Sequence, residues 1–376
     1  MEAAATIAVG VNSLLVLGVV PVLLGDLADH GRLSAAGIGQ TATLELLAMG
    51  ICTAAAGMVK RPRRLRLIAF AASAGLALLD VGSAGASHGG LMVLRAVAGC
   101  VEGVLLWITV AMIARTVTPE RWAGVFFTAQ VIAQLAMAVA FAVWIMPRFG
   151  SFGGFIALAL VGVAGLAPSL AVPSQFAPLP RAEGEGGAPP LRGWIALAAT
   201  LVFVSGGSAV GVYLQPLAHQ AGLDAGVART ALWVSLAAQV AGGAAAVALA
   251  GRARYFTIFI VTSVTDLAVW WVFGQHIPAW LFITANAAGG FVGLLLGPFL
   301  VPMTIDADPS RRAAMQSGAA QLLGAAGGPL LASLVVGDRD VHGVLWMAVF
   351  LLFAGLAVVA WLRFNKPPLV GDGGGA

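Results

Sequence analysis

The chain has 376 residues, of which 60% are hydrophobic and only 10% charged, with 20 Lys and Arg against 16 Asp and Glu for a formal net charge of +4. A soluble domain carries about a quarter charged residues, so this composition cannot cover a water-facing surface, and a mean hydropathy of +0.96 places the chain in a bilayer. The 2 cysteines and 5 histidines show no disulfide or metal-ligand spacing, which excludes a disulfide framework and a zinc-type centre.

In chain order, apolar stretches fall at 3–24, 36–58, 67–86, 90–114, 122–146, 150–172, 194–215, 228–250, 255–274, 278–302, 313–336 and 343–363. Each is close to the roughly 20 helical residues needed to cross a hydrocarbon core, where peptide groups must bond within their own helix. An all-α integral membrane protein with twelve transmembrane helices is expected. The first stretch follows only Met1 and Glu2, with no cationic start, and reads as a retained helix rather than a signal peptide.

The basic residues set the orientation. With the N-terminus in the cytoplasm, Lys60, Arg61, Arg63, Arg64, Arg66, Arg115, Arg121, Arg181, Arg192, Arg252, Arg254, Arg311, Arg312, Arg363 and Lys366 share one side, while Arg32, Arg148, Arg229 and Arg339 take the other. Fifteen against four is a strong positive-inside bias and predicts both termini in the cytoplasm. The isoelectric point of about 9.7 is thus topogenic and requires no nucleic-acid partner.

The longest interior break, 173–193, contains Pro173, Pro178, Pro180, Gly184, Gly186, Gly187, Pro189 and Pro190. It predicts a flexible cytoplasmic linker between an N-terminal bundle, 1–172, and a C-terminal bundle, 194–365, followed by a flexible tail, 366–376. The halves correspond at a shift of 190 residues, pairing Ser34 with Asp224, Arg64 with Arg254, Gly99 with Gly289, Gly103 with Gly293, Pro119 with Pro309 and Arg121 with Arg311. Ser34 and Asp224 suit helix N-caps, and Pro119 and Pro309 suit first helical turns. The glycines read as close-packing positions between helices. Two parallel six-helix repeats are an architecture of secondary transporters.

The fourth stretch contains Arg95-Ala-Val-Ala-Gly99 followed by Glu102 and Gly103, which resembles the Arg-x-x-x-Gly motif of the major facilitator superfamily. Pro21, the run Gly31-Arg-Leu-Ser34 and the run Pro119-Glu-Arg121 support the resemblance, which covers essentially the whole chain. Two departures stand out. The loop from Gly57 to Arg64 is basic without a carboxylate, and the fifth stretch has no proline between Ala123 and Trp144, unlike that family's drug/proton antiporters. A related run, Gly324-Ala-Ala-Gly327-Gly328-Pro329, occurs in the eleventh stretch instead. The resemblance implies a central cavity lined by the first, fourth, seventh and tenth helices.

Five ionisable side chains lie within the stretches: Glu45, Asp80, Arg95, Glu102 and Asp266. Such groups are costly in a membrane unless paired or wetted and mark pathways or proton relays. Arg95 lies two turns from Glu102 on roughly the same face, about 10 Å away at 1.5 Å per residue. By the resemblance both face the pathway, with Glu45 near them, so Glu102, Arg95 and Glu45 are the expected proton-coupling residues. Arg95 could also hold an anionic solute group. Asp80 and Asp266 fall on the third and ninth helices, which the resemblance places at the periphery. The hydroxyls of Thr262, Ser263 and Thr265 could satisfy Asp266, and the sequence leaves both Asp80 and Asp266 open between a functional and a packing role. Asn12, Trp107, Gln130, Gln134, Tyr213, Gln215 and Asn286 complete the expected solute-binding set with Arg95. At the 190-residue shift Arg95, Glu102 and Glu45 correspond to Ala285, Val292 and Ser235, so charge is concentrated in the first half.

No P-loop, His-Glu-x-x-His or nucleophile elbow is present, which argues against an enzyme. The resulting expectation is a secondary transporter of a bacterial inner membrane, working by rocker-switch alternating access and coupled to protons. Uptake of a small organic anion is preferred, with proton-driven export of lipophilic or cationic compounds as the alternative and a uniporter or transporter-like sensor behind both. Its partners are a small solute, protons and the lipid bilayer; a monomer and no cofactor are expected.

Overall fold

The computed structural model describes residues 2–19, 23, 24, 26, 27, 30–59, 63–177, 187–337 and 340–365. Among them there is no strand, and twelve principal helices follow one another: α1 Glu2–Leu14, α2 Ala35–Gly57, α3 Leu65–Gly85, α4 His88–Arg115, α5 Pro119–Ala140, α6 Met146–Ala164, α7 Leu191–Val212, α8 Ala225–Leu249, α9 Tyr255–Phe273, α10 Ala279–Leu296, α11 Arg312–Ala332 and α12 Gly343–Phe364. Nine segments among the described residues are long and apolar enough to cross a membrane, one of them the 52-residue run Pro119–Leu170. That run holds α5 and α6, joined by a π-helical turn at Phe141–Ile145 and bent at Gly150, whose φ of 55° suits glycine. Ser151 N, just past the bend, donates 2.9 Å to Asp26 Oδ2 and fixes the turn. The helix α11 falls outside the nine because it is rich in Ala, Gly and Gln, and it is buried along most of its length rather than facing lipid.

The predicted caps are present. Ser34 Oγ accepts from Gly37 N at 3.0 Å, and Asp224 Oδ1 accepts from Val227 N at 2.9 Å, at equivalent starts of α2 and α8. Pro119 opens α5 as its first residue. Pro309 departs from its mate, lying in the turn before α11. The middle of the linker, 178–186, and the tail, 366–376, lie outside the described residues.

Within the halves α2 packs on α4 and α8 on α10, as the repeat requires, while between the halves α2 meets α11 and α5 meets α8. These two cross-half contacts are again mates of one another. Thr109 Oγ1 donates 2.7 Å to the Thr6 carbonyl, and Arg192 Nη2 donates 2.9 Å to the Leu362 carbonyl. The start of α1 and the end of α12 therefore lie on the face that carries the start of α7 and the end of α4. The halves are latched at that face. Arg311 Nη1 donates to the Ala114 and Thr116 carbonyls at 2.8 and 2.7 Å, and Gln316 Nε2 to the Ala54 carbonyl at 3.1 Å.

Candidate functional site

Close approach of α2 to α4 builds the first site. A Cβ at Gly99 would collide with the Glu45 carbonyl, and one at Gly103 with the Met49 carbonyl, so only glycine lets the two backbones come this close. Thr53 Oγ1 then bridges the helices, donating to Met49 O at 2.8 Å and Gly103 O at 3.0 Å. One turn before Gly99, the Arg95 guanidinium turns inward. Its Nη2 pairs with Glu45 Oε1 and lies 3.5 Å from Glu102 Oε1, its Nη1 donates 2.6 Å to Asp80 Oδ1, and its Cζ sits 5.9 Å over the Phe155 ring of α6. All four ionisable residues are buried, Arg95 being 1% exposed, and Glu102 Oε2 has no hydrogen-bond partner.

The second site is a cavity of about 360 Å³ enclosed by α7, α8, α9 and α10 and reached by Phe127 of α5 and Gln321 of α11. Asp266 is the only charged residue on its wall among the described residues. Among the described residues nothing hydrogen-bonds or ion-pairs with that carboxylate. The hydroxyls expected to satisfy it do not: Thr262 Oγ1 donates to Ile258 O and Phe259 O, Thr265 Oγ1 donates to Val261 O, and Ser263 Oγ has no partner. Gly293 opens onto the cavity with free space where a Cβ would stand, and Gly289 meets only Val269. These two are thus cavity-wall glycines rather than the packing mates of Gly103 and Gly99. In the second half Gly242 and Gly290 take the close-packing role, against the backbones of Phe291 and Ser235. A smaller cavity of about 210 Å³ between the halves shares Phe127, Val204 and Gln321 with the first.

No protein-family model matches the chain, and no curated protein matches it by sequence. Solved structures do match. The human organic anion transporter MFSD10 (TETRAN) superposes with a TM-score of 0.75 at 13% identity, over 95% of this chain and 98% of that one. The major facilitator superfamily transporter FucP in its outward conformation gives 0.73 at 10% identity, over 96% and 98%. The proton:xylose symporter XylE bound to 6-bromo-6-deoxy-D-glucose gives 0.69 at 13% identity, over 97% and 94%. The fold is that of the major facilitator superfamily.

On the major facilitator fold the expected site residues separate. Arg95, Glu102 and Glu45 do come together, buried inside the N-terminal bundle and outside the linings of the two described cavities. Asp80, placed at the periphery by sequence, is their fourth member. Asn12 lies against Gly165, its Nδ2 unpartnered, and Trp107 sits in an apolar cluster with Leu65 and Ala69; neither lines a described cavity. Gln134 Nε2 donates 2.7 Å to the Leu14 carbonyl where α1 tightens into a 3-10 turn. Tyr213 is half-buried at the end of α7 and Gln215 is exposed beyond it. Gln130 lines the smaller cavity with its Oε1 unpartnered, and Asn286 lines the larger one while donating 2.9 Å to the Ala231 carbonyl. Asp266 is the functional candidate that sequence reasoning set aside. It shares a stripe with Thr262, Val269, Trp270 and Phe273, all of which turn inward.

Proposed function

We propose that the protein is a proton-coupled secondary transporter that moves a small, largely apolar solute by rocker-switch alternating access. The observation that carries this reading is the sealed cluster of three carboxylates around one guanidinium. Fully ionised, Glu45, Asp80 and Glu102 would leave two uncompensated negative charges, and each buried unpaired charge costs several kcal/mol. Proton binding relieves that cost, so the cluster has a physical reason to load and release protons as the half around it moves. Glu102 is the member best suited to the task, because it stands farthest from Arg95 and keeps one oxygen unpartnered.

Contacts that latch the halves at the linker face suit one state of an alternating-access cycle. The latch uses α2, α4 and α11, so movement of the N-terminal half bears directly on the helices that hold the cluster.

The solute preference moves from an organic anion to a lipophilic compound. The guanidinium that would bind an anion is taken up by carboxylates, and among the described residues the walls of both central cavities carry no basic side chain. The organic anion transporter among the structural neighbours supports the fold, while an anion site would need a cation that these walls lack.

Reconstitution into liposomes tests the function. With an imposed pH gradient, solute should move against its own concentration gradient, and it should merely equilibrate when the gradient is collapsed. Transport that ignores the pH gradient and stops at equal concentrations would identify a uniporter.

A further inference from the structure

Asp266 stands just past the middle of α9, eleven residues from its linker-side start, which is about 16 Å along a helix. The wall around it is made of Trp270, Phe273, Phe203 and Phe127, the glycines of α10, and the amides of Gln239 and Asn286. Among the described residues no Lys, Arg or His lines the cavity, so no basic side chain on the described wall compensates the carboxylate. We infer that this cavity is a recognition site for a monovalent organic cation with an aromatic or branched apolar body, its charge met by Asp266.

The inference rests on the transporter reading for its purpose and on the geometry for its chemistry. Two features of the wall select the ligand class. An inorganic cation requires several converging oxygen ligands, whereas the residues that line the cavity beside Asp266 on α9 are the apolar Val269, Trp270 and Phe273. Aromatic faces attract a diffuse cation, most strongly where water is excluded. The amides add orientation: Asn286 spends its NH₂ on the Ala231 carbonyl, which leaves its oxygen as an acceptor. Gly293, with open space at its Cβ position, gives the body of the ligand room along α10. The site lies mainly in the C-terminal half, with Phe127 of the N-terminal half on its wall, and shares Phe127, Val204 and Gln321 with the cavity between the halves.

The test is equilibrium binding to the purified full chain in lipid nanodiscs, with no gradient, using benzyltrimethylammonium and its neutral isostere neopentylbenzene. Wild type should bind the cation saturably, Asp266→Asn should bind it at least tenfold more weakly, and the neutral isostere should not distinguish the two proteins. Equal cation affinity in both, or no saturable cation binding by wild type, overturns the inference. A second measurement needs no variant. Dicyclohexylcarbodiimide labelling of Asp266 in wild type, read by mass spectrometry, should slow at least tenfold in saturating benzyltrimethylammonium; an unchanged rate also overturns it. Because neither readout involves proton movement, failure here leaves proton-coupled transport standing, and failure of coupling leaves the cation site standing.

Discussion

Asp80 on α3 and Arg95 on α4 face each other across the interior of the N-terminal bundle, Oδ1 2.6 Å from Nη1, with both side chains closed off from solvent. This contact draws a peripheral helix into the charge cluster and makes Arg95 the common partner of α2, α3 and α4. Removing the guanidinium leaves three buried carboxylates facing one another. Arg95→Ala should therefore lose about 3–5 kcal/mol or fail to fold, whereas Asp80→Asn, which still offers an oxygen to Nη1, should accumulate normally. Melting temperatures in one detergent would compare them, and an Arg95→Ala protein as stable as wild type would contradict the pairing.

The approach of α2 to α4 depends on Gly99, where a Cβ would meet the Glu45 carbonyl. Gly99→Ala should push the helices apart, cost about 1–3 kcal/mol and weaken the pairing of Glu45 with Arg95. Gly293→Ala is the counter-case. At an open helical position alanine should stabilise by up to about 1 kcal/mol, while Gly293→Phe should fill the cavity and abolish solute binding with the fold intact. Thermal unfolding together with ligand binding separates the three variants.

Much of the fold was legible in the sequence because membrane crossing imposes a length and a polarity that no other demand disguises. The caps Ser34 and Asp224 and the breaks between spans read directly. The site was only half legible. Glu45, Arg95 and Glu102 were visible as charges in apolar runs, but their burial inside one bundle depends on which helix faces approach, and Gly99 and Gly103 gave the sole local sign of it. Asp80 could have been found from its stripe, since Leu65, Ala69, Ser73, Leu76 and Ala77 recur at helical spacing on the buried side of α3. Asp266 was misread because three hydroxyls stand close in sequence. On a helix, Ser and Thr hydroxyls turn back to carbonyls three or four residues earlier, as Thr262 and Thr265 do, and leave the acid unserved.

The latch at the linker face rests on Arg311, held at φ 61° with its Nη1 shared between the Ala114 and Thr116 carbonyls. Arg311→Ala should weaken the latched state by about 1.5 kcal/mol, roughly a tenfold shift in the equilibrium between states. Hydrogen exchange should rise in 112–116 and 311–316 and stay unchanged around the outer turn at Gly150. Protection that is unaltered at both places would show that Arg311 does not hold the halves together.

The most direct measurement is proton movement in proteoliposomes carrying an internal pH dye, on addition of a lipophilic amine or an organic acid to wild type and to Glu102→Gln. Glu102→Gln keeps the side-chain shape and removes the titrating group. A solute-dependent pH change is expected in wild type, given by the amine and not the acid, and the variant should abolish it while still binding solute. An undiminished pH change in Glu102→Gln, or solute movement with no pH change in either protein, would contradict proton coupling through Glu102.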